Sequence, residues 1–174
     1  MSALLVLAQI LYYFLPAYAA NMMPVIGRDW LPWLAKPIDG GSGVLGNHKT
    51  WRGLVLGVLG GMIVAGVQAW LVPHTQPLII APYRDWLLLG FLMGFGALLG
   101  DAIKSFFKRR LLIRPGKPWI PFDQLDFVVG GLALSSFVYF PGWPAVLVLV
   151  IASFFLDLIV NQISHRLGMR KTAW

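Results

Sequence analysis

An all-α fold of five membrane-crossing helices, with the N-terminus outside and the C-terminus cytoplasmic, is what this sequence predicts. Three observations predict it. The 174 residues are 58% hydrophobic and only 12% charged, with a mean hydropathy of +0.73, which is far from a water-soluble composition. The apolar residues come in long continuous runs, not in the alternating segments of about ten residues that a membrane β-barrel requires. Lys and Arg collect in alternate connections between those runs, as the positive-inside rule demands of a multi-pass chain. Nineteen Gly and eight Trp agree, since Gly permits close helix approach and Trp favours the interface.

The first helix is expected over residues 2–20, apolar apart from Gln9 and interrupted by Pro16. No Lys or Arg precedes Arg28, so the run lacks the basic start of a signal peptide. Residues 21–52 form a long connection with Pro24, Pro32, Pro37 and a glycine cluster; its Met22, Met23, Trp30, Leu31, Trp33 and Leu34 suit the plane of the interface. The second helix, 53–72, carries Gly53, Gly57 and Gly61 at four-residue spacing, a small-residue packing face. After a short connection, 73–84, the third helix covers 85–103 and repeats the spacing at Gly90–Gly94 and Gly96–Gly100. A second long connection, 104–122, leads to helix four at 123–140, a tight turn at 141–143 and helix five at 144–163. Each run is about 17–20 residues, enough to cross about 30 Å of hydrocarbon.

Arg28, Lys36, Lys49 and Arg52 lie in the first long connection, six cations lie in the second, and Arg166, Arg170 and Lys171 lie in the tail; Arg84 stands alone on the other side. Both long connections and the tail are therefore expected at the cytoplasmic face. The net charge of +7 is read as loop orientation and affinity for anionic ligands or head groups, not nucleic acid. With no Cys, disulfides, thiolate metal sites and Cys nucleophiles are excluded. The chain reads as a single membrane-embedded domain, 1–174, without internal repeats.

Residues 100–130, GDAIKSFFKRRLLIRPGKPWIPFDQLDFVVG, hold three of the seven acids and six of the fourteen Lys and Arg residues. Asp101 ends helix three, and Asp123 and Asp126 open helix four. Helices joined by one connection are neighbours, so these acids are expected to converge, Asp123 and Asp126 on one face. Acids at the edge of hydrocarbon are costly and usually functional. They suit a Mg²⁺ site completed by substrate phosphate, with helix-end ion pairing as the plainer alternative. Ser105 and Lys108 share the Asp101 face if the helix continues. Lys108 and Arg109 are placed to grip phosphate, whereas topogenic charge accounts for others among Lys104, Arg110, Arg114 and Lys117.

The earlier stretch DGGSGVLGNHKTWRG, 39–53, fails as a P-loop because His48, not Gly, precedes Lys49. Its glycines with Lys49, Thr50 and Arg52 ahead of a helix can still form a phosphate nest; a flexible linker is the alternative. Asp157 and Asn161, with Ser153 and His165 on the same stripe, read as a face turned to the bundle interior, with Asp157 in structural pairing with a Lys or Arg. His48, His74 and His165 are too scattered for a zinc site.

Taken together, Gly100-Asp101…Ser105…Lys108-Arg109…Pro115-Gly116…Asp123-Gln124-Leu125-Asp126 resembles the signature of the CDP-diacylglycerol synthases, and most closely that of their archaeal relatives, the CDP-archaeol synthases. The block from Asp39-Gly40-Gly41 through Gly46-Asn47-His48-Lys49-Thr50-Trp51-Arg52-Gly53 resembles the other shared segment of that superfamily. Gln124 stands where the bacterial and eukaryotic signature has Arg, and residues 117–122 replace its Gly-His-Gly-Gly; both favour the archaeal branch. The resemblance implies a cytidylyltransferase that uses CTP and an isoprenoid ether lipid phosphate, unsaturated archaetidic acid, to make CDP-archaeol and pyrophosphate at the cytoplasmic face of the cell membrane. It implies Mg²⁺ held by Asp101, Asp123 and Asp126, and phosphates held by Lys108 and Arg109. Ser105, Lys49, Thr50 and Arg52 would contribute to nucleotide or lipid-phosphate binding, as would Asp39 and Asn47. Membrane lipids are the expected surroundings, and a homodimer is left open. A CDP-alcohol phosphotransferase fits less well: Asp39-Gly40 lacks the following Ala-Arg, and Asp123 and Asp126 are too closely spaced. A small transporter would need ionisable groups at mid-membrane depth.

Overall fold

The computed structural model describes residues 2–46, 48–114 and 117–166, excluding the side chains of Ser164 and His165. Five α-helices carry the fold: α1 (Ala3–Ile26), α2 (Trp51–Leu71), α3 (Trp86–Arg110), α4 (Phe122–Ser135) and α5 (Trp143–Arg166). No strand is present among the described residues, only an isolated bridge between Pro37 and Thr50 that closes the first long connection at its base. Four helices are long and apolar enough to cross a membrane: α1, α2 extended to His74, α3 with the turn before it, and α5.

The fourth helix differs from expectation. It stops at Ser135 instead of continuing to 140, and its 14 residues span about 21 Å at the usual rise. The Ser136 hydroxyl donates to the Leu132 carbonyl at 2.6 Å, and the Val138 and Tyr139 N–H groups turn back onto the Ser135 carbonyl. Hydroxyls that bond to the preceding turn compete with helix continuation, and Pro141 lies just beyond. Helices α1 and α3 overrun their expected ends. α1 continues from 20 to Ile26 despite Pro16 and Pro24, because packed neighbours accommodate prolines inside membrane helices. α3 continues from 103 to Arg110, where Lys108, Arg109 and Arg110 complement the negative end of the helix dipole.

Helix α1 is the central column. Its buried Ile10, Tyr13, Phe14, Ala17 and Ala20 recur at helical spacing and meet Leu89, Met93 and Ala97 of α3, Phe127, Val128 and Leu132 of α4, and Leu149 of α5. Polar bonds tie the column to its neighbours: Tyr13 Oη to Ser135 Oγ and to the Tyr139 carbonyl, both 3.1 Å, and Tyr18 Oη to Ser153 Oγ.

Helix α3 lies between two seams of small residues. Gly90 and Gly94 face Gly57 and Gly61 of α2, while Gly96 and Gly100 face Gly130 and the Asp126 backbone of α4. Both pairings run antiparallel. They bring the start of α2, the end of α3 and the start of α4 to one end of the bundle, which is where the acids lie.

Candidate active site

Because α3 continues past Ser105, Asp101, Lys104 and Lys108 fall on one face at i, i+3 and i+7. The first turns of α4 set Asp123 and Asp126 opposite. Gly100 makes this approach possible: a Cβ there would overlap the Asp126 carbonyl oxygen.

The Lys104 ammonium is the point of convergence. Its Nζ lies 3.1 Å from Asp101 Oδ1, 3.1 Å from Asp123 Oδ1 and 2.7 Å from Asp126 Oδ2. Lys108 Nζ donates to both Asp123 oxygens, at 2.9 and 2.8 Å, and to the Lys117 carbonyl at 2.7 Å. Lys49, delivered just ahead of α2, pairs with Asp101 Oδ2. Three carboxylates thus interlock with three ammonium groups, and none of the six side chains is more than 21% exposed. Charges this sheltered persist only when densely paired. Burial works against the Asp123 carboxylate, and Lys108, Lys104 and the Trp119 N–H compensate for it with hydrogen bonds and opposite charge.

Beside the cluster a cavity of about 250 Å³ opens between α2 and α3. Asp101, Lys49 and Thr50 stand on its polar side, and Leu54, Phe95 and Leu98 form its apolar wall. One site therefore offers charge for phosphates and an oily surface for a chain.

The remaining expected residues are distributed around this centre. Thr50 caps α2, its Oγ1 accepting from the Gly53 N–H at 3.1 Å, and its hydroxyl proton is still available to donate. Ser105 Oγ donates to the Asp101 carbonyl at 2.8 Å. Arg52 Nη1 reaches the Trp30 carbonyl at 3.4 Å, and Arg109, on the last turn of α3, makes no ion pair among the described residues. Asp39 faces its own loop: its carboxylate accepts from the Leu45 and Gly41 N–H groups at 3.0 and 3.1 Å, and these bonds hold its pKa down. Gly40, Gly41, Gly43 and Gly46 in that loop all have positive φ with open space where a Cβ would be, so glycine is needed there for backbone shape. Asn47, Pro115 and Gly116 lie outside the described residues. Asp157 accepts from Asn161 Nδ2 at 2.8 Å.

Sequence reasoning missed Lys104 as a site residue, counting it with the topogenic cations. Its three-residue spacing from Asp101, on a helix that continues to Arg110, is the signal that identifies it.

Residues 2–174 match the model of a family described as CarS-like: CDP-archaeol synthase. The chain belongs to the CDP-archaeol synthase family. It is 36% identical over 168 residues to the CDP-archaeol synthase of Methanocaldococcus jannaschii, covering 94% of this chain and 95% of the relative. The enzyme of that name from Thermococcus onnurineus is 36% identical over 169 residues, covering 94% of each. A solved structure described as an intramembrane enzyme for archaeal membrane lipids biosynthesis superposes with a TM-score of 0.69 at 31% identity, over 86% of this chain and 90% of that one. With its four long apolar helices, the chain is a multi-pass membrane protein.

Proposed function

We infer that this chain transfers the cytidylyl group of CTP to archaetidic acid, in its unsaturated 2,3-bis-O-geranylgeranyl-glycerol 1-phosphate form, releasing CDP-archaeol and pyrophosphate. The observation that carries the reading is the meeting of the Asp–Lys cluster with an oil-walled cavity, because the reaction joins a polyphosphate to an amphipathic acceptor. A non-bridging oxygen of the lipid phosphate attacks the α-phosphorus of CTP. The bond from that phosphorus to the oxygen bridging to the β-phosphorus breaks, and its electron pair leaves with pyrophosphate. A phosphate monoester has its second pKa near about 6, so the nucleophile is already ionised and no general base is required. What remains is positioning and charge stabilisation.

Lys49 and Lys108, at opposite ends of the cluster, supply cations for the nucleotide and lipid phosphates, and Thr50 and Ser105 supply hydroxyls beside them. Arg52, Arg109 and the glycine-rich loop that begins at Asp39 extend that phosphate-binding rim. Leu54, Phe95 and Leu98 receive the start of an isoprenoid chain.

Mg²⁺ is the cofactor in this reading. Three carboxylates are the hard oxygen donors it selects, and they already converge on one cationic head group. No trio of His, Cys, Asp or Glu among the described residues is set to hold a metal as it stands; Asp101, Asp123 and Asp126 would hold it once the ammonium gives way. Bound there, the ion would neutralise charge on the triphosphate and on the departing pyrophosphate.

The charge distribution supports a cytoplasmic site in the cell membrane, with the N-terminus outside. α4 and the hydrogen-bonded turn after it are read as the fifth crossing, because an odd number of crossings puts the N-terminus opposite the basic C-terminal tail. The whole chain acts as one catalytic domain.

The test is direct. Purified protein in lipid vesicles is given archaetidic acid, Mg²⁺ and CTP labelled in the α-phosphate. The reading predicts label in an organic-extractable lipid and one pyrophosphate released per lipid labelled. Label that stays in water-soluble nucleotide, with correctly folded protein, refutes it.

A further inference from the structure

We propose that Lys104 is a tethered cation that holds the metal's place among Asp101, Asp123 and Asp126, so that a divalent ion binds by displacing it. This rests on the magnesium reading above and deepens it. Lys104 Nζ contacts one oxygen of each carboxylate, at 3.1, 3.1 and 2.7 Å, whereas Lys49 pairs with the other Asp101 oxygen and Lys108 lies 2.8 Å from the other Asp123 oxygen. Three carboxylates and three ammonium groups thus balance in formal charge. Remove the central ammonium and three carboxylates face each other in a sheltered, low-dielectric setting, where like charges repel strongly. Add a divalent ion while the ammonium stays and two cations compete for the same oxygens. The two occupants therefore exclude each other.

Lysine suits the exchange because its charge sits at the end of a flexible four-carbon stem. Once displaced, the ammonium needs a new anion, and a triphosphate arriving with the metal provides one. Metal and nucleotide binding are coupled by this route, and a site without metal keeps its formal charges balanced at the membrane boundary.

The experiment titrates Mn²⁺ into the purified, nucleotide-free protein in detergent and follows free ion by electron paramagnetic resonance. Lys104→Met is expected to bind Mn²⁺ at least roughly tenfold more tightly than wild type, with a larger rise in melting temperature on adding the ion. Lys104→Arg retains a tethered cation and stays near the wild-type affinity. A merely structural ion pair predicts the opposite: Lys104→Met loses stability and binds Mn²⁺ no better.

If Lys104→Met fails to fold, the wild-type protein gives the same answer through amine labelling read by mass spectrometry. Mg²⁺ should raise the reactivity of Lys104 several-fold while Lys49 changes little, and unchanged Lys104 reactivity at saturating Mg²⁺ overturns the proposal. Wild type that shows no Mn²⁺ binding dependent on Asp101, Asp123 and Asp126 defeats the magnesium reading and this inference with it. Wild type that binds the ion, with Lys104→Met no tighter, leaves that reading standing and removes the role of Lys104.

Discussion

Helix α3 packs through glycine on two sides, and the two seams have different consequences. Against α2, a Cβ on Gly94 would meet the Val58 Cα at 3.2 Å and its carbonyl at 3.3 Å, a crowding that a few tenths of an ångström relieve. Against α4, a Cβ on Gly100 would overlap the Asp126 carbonyl, and only moving α4 relieves it. At Gly94, two turns of helix before Asp101, the α2 seam joins two lipid-spanning helices away from the charged cluster and holds the bundle together. The α4 seam sets the separation of Asp101 from Asp126, and with it the geometry of the charged cluster. Small residues at a membrane helix interface thus serve packing on one side and chemistry on the other.

Substitutions on the chemical side should remove activity and spare the fold. Asp123→Asn keeps the shape of the side chain and its acceptance of the Trp119 N–H but removes the charge. It is expected to lower cytidylyl transfer by roughly 10²–10³-fold, with far-ultraviolet circular dichroism unchanged. Near-normal turnover would place the chemistry elsewhere. On the scaffold side the effects should be smaller and should appear as stability. Ser2→Ala removes the cap of α1, where the Ser2 Oγ accepts from the Leu5 N–H, and should cost about 1 kcal/mol, read as a lowered denaturation midpoint in detergent. Tyr13→Phe removes hydrogen bonds from α1 to Ser135 and Tyr139. Such bonds average about 0.6 kcal/mol inside a membrane protein, so its midpoint should shift least. A larger loss of activity than of stability in either variant would blur the division between the two seams.

Much of this was legible in the sequence because helix periodicity and membrane thickness are local constraints. Asp101, Asp123 and Asp126 were expected to meet, since one connection joins their helices, and the Gly spacings marked both faces of α3. The end of α4 was hidden because Ser135 and Ser136 terminate it through their own hydroxyls, within a run whose hydropathy does not change. The pairing of Lys49 with Asp101, fifty-two residues apart, follows from how α2 docks on α3, which no spacing rule encodes. Asp39 reads as a ligand-facing acid in the sequence, and only the hydrogen bonds from the Gly41 and Leu45 N–H groups show that its carboxylate closes its own loop. Lys104 was passed over because it sits in a basic run where topogenic charge was sufficient explanation.

The central claim is that close contact across the α3–α4 seam builds the site, and one methyl group tests it. Gly100→Ala and Gly94→Ala are compared in the same vesicle assay, each normalised to folded protein. The account predicts that Gly100→Ala loses at least roughly tenfold more transfer activity than Gly94→Ala, because misplacing reacting groups by about 1 Å costs about a hundredfold. Equal activity in the two variants would contradict it.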